Sequence, residues 1–215
     1  MLNSTQELQE QIEGTETAKA AELPEEQARR AGIYSILAAL LRNSPGRELL
    51  DHLATLGAGA ETGHDNELLL SLSMLALAAS RCDPKSVGDE YHDLFIGIGR
   101  GELVPYGSWY QTGFLMEKPL GQLRDDLGRL GFERQEESHE PEDHVAALFE
   151  VMAILIQEGQ SIEVQKRFHE AHMASWINRF FEDLETAKHS VFYCSVARFG
   201  LAFQQLEFRY LSMLA

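Results

Sequence analysis

Glu140–Ile156 reads EPEDHVAALFEVMAILI. Its second half sets Val145, Leu148, Phe149, Met152, Leu155 and Ile156 at three- and four-residue intervals, the spacing that gathers side chains on one face of an α-helix. Its first half carries the signs of a helix start. Pro141 suits the first turn, where its missing N–H is one that a helix leaves unbonded, and Glu142 and Asp143 suit the positive end of the helix dipole. The spacing predicts a helix over 141–158. His144 does not follow from this reading, because a positive dipole end disfavours its protonation.

The helical period continues outward in both directions. Pro24, Glu25 and Glu26 open a helix in which Ile33, Leu37, Leu40 and Leu41 recur, and Asn43–Gly46 stops it. Further helices are expected over 47–56, 66–79, 87–98, 109–118 and 120–130. After 141–158 come 162–185, with a bend near Ala171–Ser175, and 191–214. In the 87–98 helix, Tyr91, Leu94, Phe95 and Ile98 form one stripe. Gly57–Asp65 reads as a flexible loop. No stretch alternates at the strand period, and no internal repeat appears. The expected fold is all-α, with roughly eight to ten helices. It divides into an acidic flexible segment (1–22), an N-terminal lobe (23–131), a charged connector (132–140) and a C-terminal lobe (141–215).

Charge narrows the partners. The chain has 215 residues, and 18 Lys and Arg face 34 Asp and Glu, a formal net charge of −16. Such a field repels phosphate backbones and anionic lipid, and it speeds encounters with basic segments. Cys82 and Cys194 lie far apart, with no CxxC spacing, as reduced thiols of a cytosolic protein do. The longest apolar run, 145–156, is too short for a membrane span and contains Glu150. RRAGIYSILAALL (29–41) has the look of a twin-arginine export signal, but acidic residues precede it and no cleavage site follows, so it reads as a first core helix.

The chemical candidates are thin. His139, Glu140, Asp143 and His144 offer metal donors, but Asp143 and His144 diverge around a helix, so no metal site is expected. His169 and His172 in FHEAH lack the zinc-protease spacing and read as a helix-surface pair. GIGRGELVPYGS (97–108) lacks the phosphate-loop pattern, and no motif points to a nucleotide, another cofactor or a catalytic triad.

EYHDLFIG (90–97), PYGSWY (105–110) and EPEDH (140–144), taken in this order and spacing, resemble the TorD/DmsD/NarJ-like family of redox-enzyme maturation chaperones. FHEAHMASWINRFFEDL (168–184) resembles a later helix of that family. The resemblance implies an all-helical cytoplasmic chaperone, not an enzyme, of two lobes joined at Glu140 and Pro141. Its partner would be a molybdoenzyme catalytic subunit, bound through the twin-arginine signal peptide or the apoenzyme core until the cofactor is loaded. The peptide site carries over to Tyr106, Ser108, Tyr110, Asp143 and His144. Glu142 or Asp143 would meet the arginines, and Tyr91, Phe95, Tyr106 and Trp109 the apolar segment. Tyr106 stands where some relatives have Trp. On this reading, replacing Asp143 and His144 by Ala weakens peptide binding and leaves melting nearly unchanged. PYGSWYQTGFLMEKPL with EPEDHVA resembles the formate dehydrogenase branch, beside trimethylamine-oxide, dimethyl-sulfoxide and nitrate reductases as other clients. The protein is expected as a monomer or a domain-swapped homodimer. Two rivals stand beside this reading: a small helical enzyme using His144 with Asp143 or Glu142, and a structural assembly subunit.

Overall fold

Ten α-helices lie among the residues that the computed structural model describes, 23–57, 67–133 and 140–213. They are α1 (Glu25–Arg42), α2 (Arg47–Leu56), α3 (Glu67–Arg81), α4 (Pro84–Tyr91), α5 (Gly107–Thr112), α6 (Lys118–Arg129), α7 (Val145–Gln157), α8 (Ile162–His172), α9 (Ile177–Thr186) and α10 (Phe192–Met213). After α4 the chain widens into a π-helical turn, His92–Ile96. Among the described residues there is no strand, only a single antiparallel bridge between Tyr106 and His144. The protein is all-α, as the spacing predicts. The acidic segment 1–22 and most of the 57–65 loop and of the 132–140 connector lie outside the described residues.

α7 is the centre of the core. Nine of its residues are buried, among them Leu148, Phe149, Met152 and Ile156, and a helix apolar nearly all round finds its minimum only when covered on most sides. α1 covers it most extensively, α10 packs on α3 and α9, and α2 packs on α3. Helices from before and after the connector therefore share one core. Where α10 meets α9, a Cβ on Gly200 would fall 2.3 Å from the Phe181 ring, so the contact requires glycine. Each buried Phe or Leu here contributes about 1.5–3 kcal/mol.

The two arginines of the signal-like stretch part company. Arg29 pairs with Glu25 on the surface. Arg30, 3% exposed, makes two 2.7 Å hydrogen bonds to the fully buried Glu207, which also accepts from Tyr34 Oη at 3.0 Å. Residues 29–41 thus lie within the core helix α1.

Several boundaries differ from expectation. The 109–118 helix is short: α5 starts at Gly107 and ends at Thr112, because Gly113 takes φ +81° and the Thr112 hydroxyl accepts from Phe114 N–H. The 162–185 helix is two, broken at Met173–Trp176 in the region where a bend is predicted. Ile98 leaves its stripe and is fully exposed, since Gly97 at φ +61° turns the chain away from the core. His169 and His172 are buried rather than a surface pair: His169 meets Gln204 at 3.1 Å, and His172 meets Asp126 at 2.9 Å.

Candidate functional site

The EPEDH stretch does not enter a helix at Pro141. α7 begins at Val145, with His144 as its N-cap in extended conformation, so Glu142 and Asp143 lie outside the first turn. The His144 Nδ1 accepts from Ala146 N–H at 3.1 Å, which places the ring proton on Nε2. Burial holds the His144 pKa down at about 4; Arg42 acts in the same direction, while Glu140 and Asp143 oppose. The 3.8 Å approach of Nε2 to Glu140 Oε1 is therefore no ion pair near neutrality. A neutral imidazole suits a positive helix terminus, which accounts for the histidine there.

This cap is stitched to PYGSWY. Val145 N–H donates to Pro105 O, and Gly107 N–H to Asp143 O, both at 2.9 Å. Asp143 Oδ2 accepts from Ser108 N–H at 2.7 Å, so the acid of one motif caps the helix that carries the other. Asp143, His144 and Ser108 are 3%, 4% and 0% exposed. Above them, Tyr106 Oη donates to Glu140 Oε1 at 2.7 Å while its ring stands edge-on to His144 at 5.1 Å. Burial, then this bond and the Glu140 charge, push the Tyr106 phenol well above its ordinary pKa. Arg42 bonds Glu150 through Nε and Nη2 and lies 3.6 Å from Glu140. Tyr91 Oη donates to Arg42 O at 2.9 Å, and burial followed by the Glu140 charge raises Tyr91 to about 12.

The far side of α5 faces a cleft of about 350 Å³, lined by Trp109 and Tyr110 with Arg100, Glu102, Leu103, Val104, Gly113, Arg179 and Asp183. Tyr110 stacks on Trp176 at 5.3 Å and donates to Asp183 Oδ2 at 3.0 Å. Gly101 lets the loop close tightly: a Cβ there would come 2.4 Å from the Phe95 carbonyl carbon. Past Gly113, Phe114, Leu115 and Met116 are exposed.

The structure thus divides the predicted site. Tyr106, Ser108, Asp143, His144 and Glu140 meet at one junction. Trp109 and Tyr110 line the cleft. Tyr91 and Phe95 pack against each other and Tyr193, at 5.0–6.0 Å between rings, and do not line it. Glu142 pairs with Arg124 at 2.9 Å, and Pro141 is half-buried in the turn before α7. The expectation that Ala at Asp143 and His144 leaves melting unchanged is corrected: both are buried and cap helices, so their loss costs stability. The enzyme pairing is weakened for the same reason, since Nδ1 and Oδ2 are spent on backbone N–H groups. Among the described residues no His, Cys, Asp and Glu group gathers as metal ligands, and His139 lies outside them. No helix among them is long and apolar enough to cross a membrane.

Sequence reasoning passed over four residues that build this region. Glu90, which opens EYHDLFIG, accepts from Val191, Phe192 and Tyr193 N–H at 2.8–3.0 Å, capping α10 from a hundred residues away. Glu102 accepts from Lys188 and His189 N–H in the turn between α9 and α10. Arg42 and Glu150 form the third link, and a lone carboxylate in an apolar helix was the available signal for it.

Comparison with known proteins places these features. The nitrate reductase delta subunit family matches residues 61–182, more than half of the chain. The chaperone protein TorD of Vibrio atlanticus is 26% identical over 203 residues, covering 85% of this chain and 94% of that one. TorD of Vibrio cholerae is 30% identical over 129 residues, 55% and 59% of the two chains. A Haemophilus influenzae protein assigned as the Tat proofreading chaperone DmsD is 28% identical over 115 residues, 53% of this chain and 56% of its own. Among solved structures, a candidate redox enzyme maturation protein from Archaeoglobus fulgidus superposes with a TM-score of 0.57 at 19% identity, over 82% of this chain and 93% of its own, and so shares the fold. The match spans all three motif stretches, and the chain belongs to the nitrate reductase delta subunit family, with the TorD chaperones among its relatives.

Proposed function

We propose that this protein is a cytoplasmic maturation chaperone for a molybdenum-cofactor oxidoreductase, which binds the client's twin-arginine signal peptide, or the apoenzyme, until the cofactor is in place. The relatives are named as chaperones rather than enzymes, which supports a binding role. The carrying observation is the junction of PYGSWY with EPEDH, which fixes Trp109 and Tyr110 at the mouth of a cleft beside exposed Phe114 and Met116. In this reading Trp109, Tyr110 and Tyr106 touch the apolar part of the peptide. Ser108, Asp143 and His144 are positioning residues that hold the platform, Tyr91 and Phe95 brace it from the core, and Glu142 with Glu140 supplies acidic surface for the arginines.

Glu140 and Pro141 form the hinge between the lobes 23–131 and 141–215. A lobe exchange between two copies would make the α1–α7 and α3–α10 contacts between chains instead of within one, and light scattering separates that dimer from a monomer. Formate dehydrogenase is the first client to test. Calorimetric titration with signal peptides from formate dehydrogenase and from trimethylamine-oxide, dimethyl-sulfoxide and nitrate reductases, each beside its Lys-Lys variant, is the direct experiment. Saturable binding of one peptide, lost in its variant, is the expected result. Silence with all of them, alongside binding of the apoenzyme, would move the target to the enzyme core.

A further inference from the structure

In a chain this acidic, guanidiniums readily find carboxylates: Arg29, Arg30, Arg42, Arg124, Arg129 and Arg198 all do. Among the described residues Arg81, Arg167 and Arg209 have no carboxylate within 4.0 Å, and nor do Arg100 and Arg179. These last two both line the cleft beside α5. Each lies over an aromatic face, Arg100 4.6 Å from the Trp109 centroid and Arg179 5.8 Å from that of Tyr110. A guanidinium seated on a ring keeps its edge N–H groups for a planar acceptor, and the ring narrows the positions they sweep.

The acids on the cleft wall already have donors. Glu102 accepts from Lys188 N–H, His189 N–H and the His189 ring, and Asp183 accepts from Tyr110 Oη. Those bonds leave both acids charged, so the cleft carries two carboxylates and two guanidiniums; what lacks a partner is the set of forked guanidinium N–H donors. Arginines of a signal peptide would compete with Arg100 and Arg179 for the two acids of this cleft, so that pair is placed on the acidic surface at Glu140 and Glu142 instead. A phosphate with two charges is opposed by the field of a protein of net charge −16, whereas one carboxylate between apolar neighbours meets that field less strongly. Leu103 and Val104 in the wall, and exposed Phe114 just past Gly113, suit those neighbours.

We infer that the cleft is a specificity subsite for a single acidic side chain of the client peptide, flanked by apolar residues and held by Arg100 and Arg179. This inference rests on the peptide-binding reading above. It is tested with synthetic peptides that carry an Arg-Arg pair and an apolar segment, with one Glu placed in turn at each flanking position, each beside its Gln counterpart. Fluorescence anisotropy is expected to show one Glu peptide binding about tenfold tighter than its Gln partner, the worth of a charge-assisted pair at a partly exposed site. Arg100→Gln with Arg179→Gln should erase that preference, keep the affinity for the Gln peptide and leave the melting curve in place, both side chains being exposed. Equal affinity across every Glu–Gln pair overturns the subsite while leaving the peptide reading intact. No binding of any peptide overturns both. Displacement of the Glu peptide by inorganic phosphate but not by acetate assigns the cleft to phosphates and overturns the inference.

Discussion

Asp143 and Trp109 belong to two motifs that meet in space, yet the two sides of their meeting point are opposite environments. On the junction side, Asp143, Ser108 and His144 are buried; Asp143 Oδ2 and His144 Nδ1 accept from backbone N–H groups, while Asp143 Oδ1 and Ser108 Oγ have no partner among the described residues. On the cleft side, Trp109, Tyr110, Arg100 and Arg179 face open volume, and the two cations have no carboxylate partner among the described residues. Motif residues therefore divide by environment: one set builds the platform, the other presents it. Charge alone would have assigned the acids of EPEDH to ligand contact. Burial assigns Asp143 and His144 to construction, because side chains only 3% and 4% exposed offer a peptide almost no surface, and one oxygen of Asp143 and Nδ1 of His144 already cap helices.

The sharpest way to break this division is acid. His144 has a folded pKa of about 4 against an ordinary 6.5, so between these values the unfolded chain binds a proton that the folded chain does not. Stability is then complete above about pH 6.5 and is lost as pH falls toward 4, by about 3 kcal/mol from this group. Burial lowers His169 and His172 as well, adding to the same loss. Urea midpoints measured from pH 7 to pH 4 should fall steeply, and His144→Asn, which keeps a capping side chain, should flatten the fall. A profile unchanged by that substitution would place His144 in solvent.

Next in size, Asp143→Ala should cost about 2 kcal/mol, by stranding the Ser108 N–H, with Asp143→Asn recovering part of it. Unaltered thermal unfolding of the Ala variant would move Asp143 to the presenting set. Trp109→Ala should behave in the reverse sense: signal-peptide affinity weakened about tenfold, with a smaller stability change than Asp143→Ala produces. The smallest effect is expected of Tyr106→Phe, about 1 kcal/mol for the bond to Glu140. Because Tyr106 and Asp143 brace the same junction, combining Tyr106→Phe with Asp143→Ala in a double-mutant cycle should give a coupling larger than the error of the single values.

How much of this was legible beforehand differs by element. The body of α7 was plain, because Leu148, Phe149, Met152 and Ile156 recur at the helical period whatever surrounds them. Its start was misplaced by four residues: the proline and acids of EPEDH satisfy the rules for a first turn, and only the bridge to Pro105 pulls them out of it. α5 was read as too long, because Gly113 is a tolerable helix residue by composition and becomes a stop only in its left-handed conformation. The arginines of the cleft left no trace in the sequence, since their meaning lies in the cleft and the aromatic faces that they share.

The sequence by itself determined that the chain is helical, where most helices lie, and which family its ordered motifs resemble, because period and spacing are local properties of the chain. Tertiary structure alone decided that Asp143 and His144 are interior, that Glu90 caps a helix a hundred residues away, and that Arg100 and Arg179 share a cleft. A polar side chain's role is set by its partners and its water, and segments distant along the chain supply or exclude both.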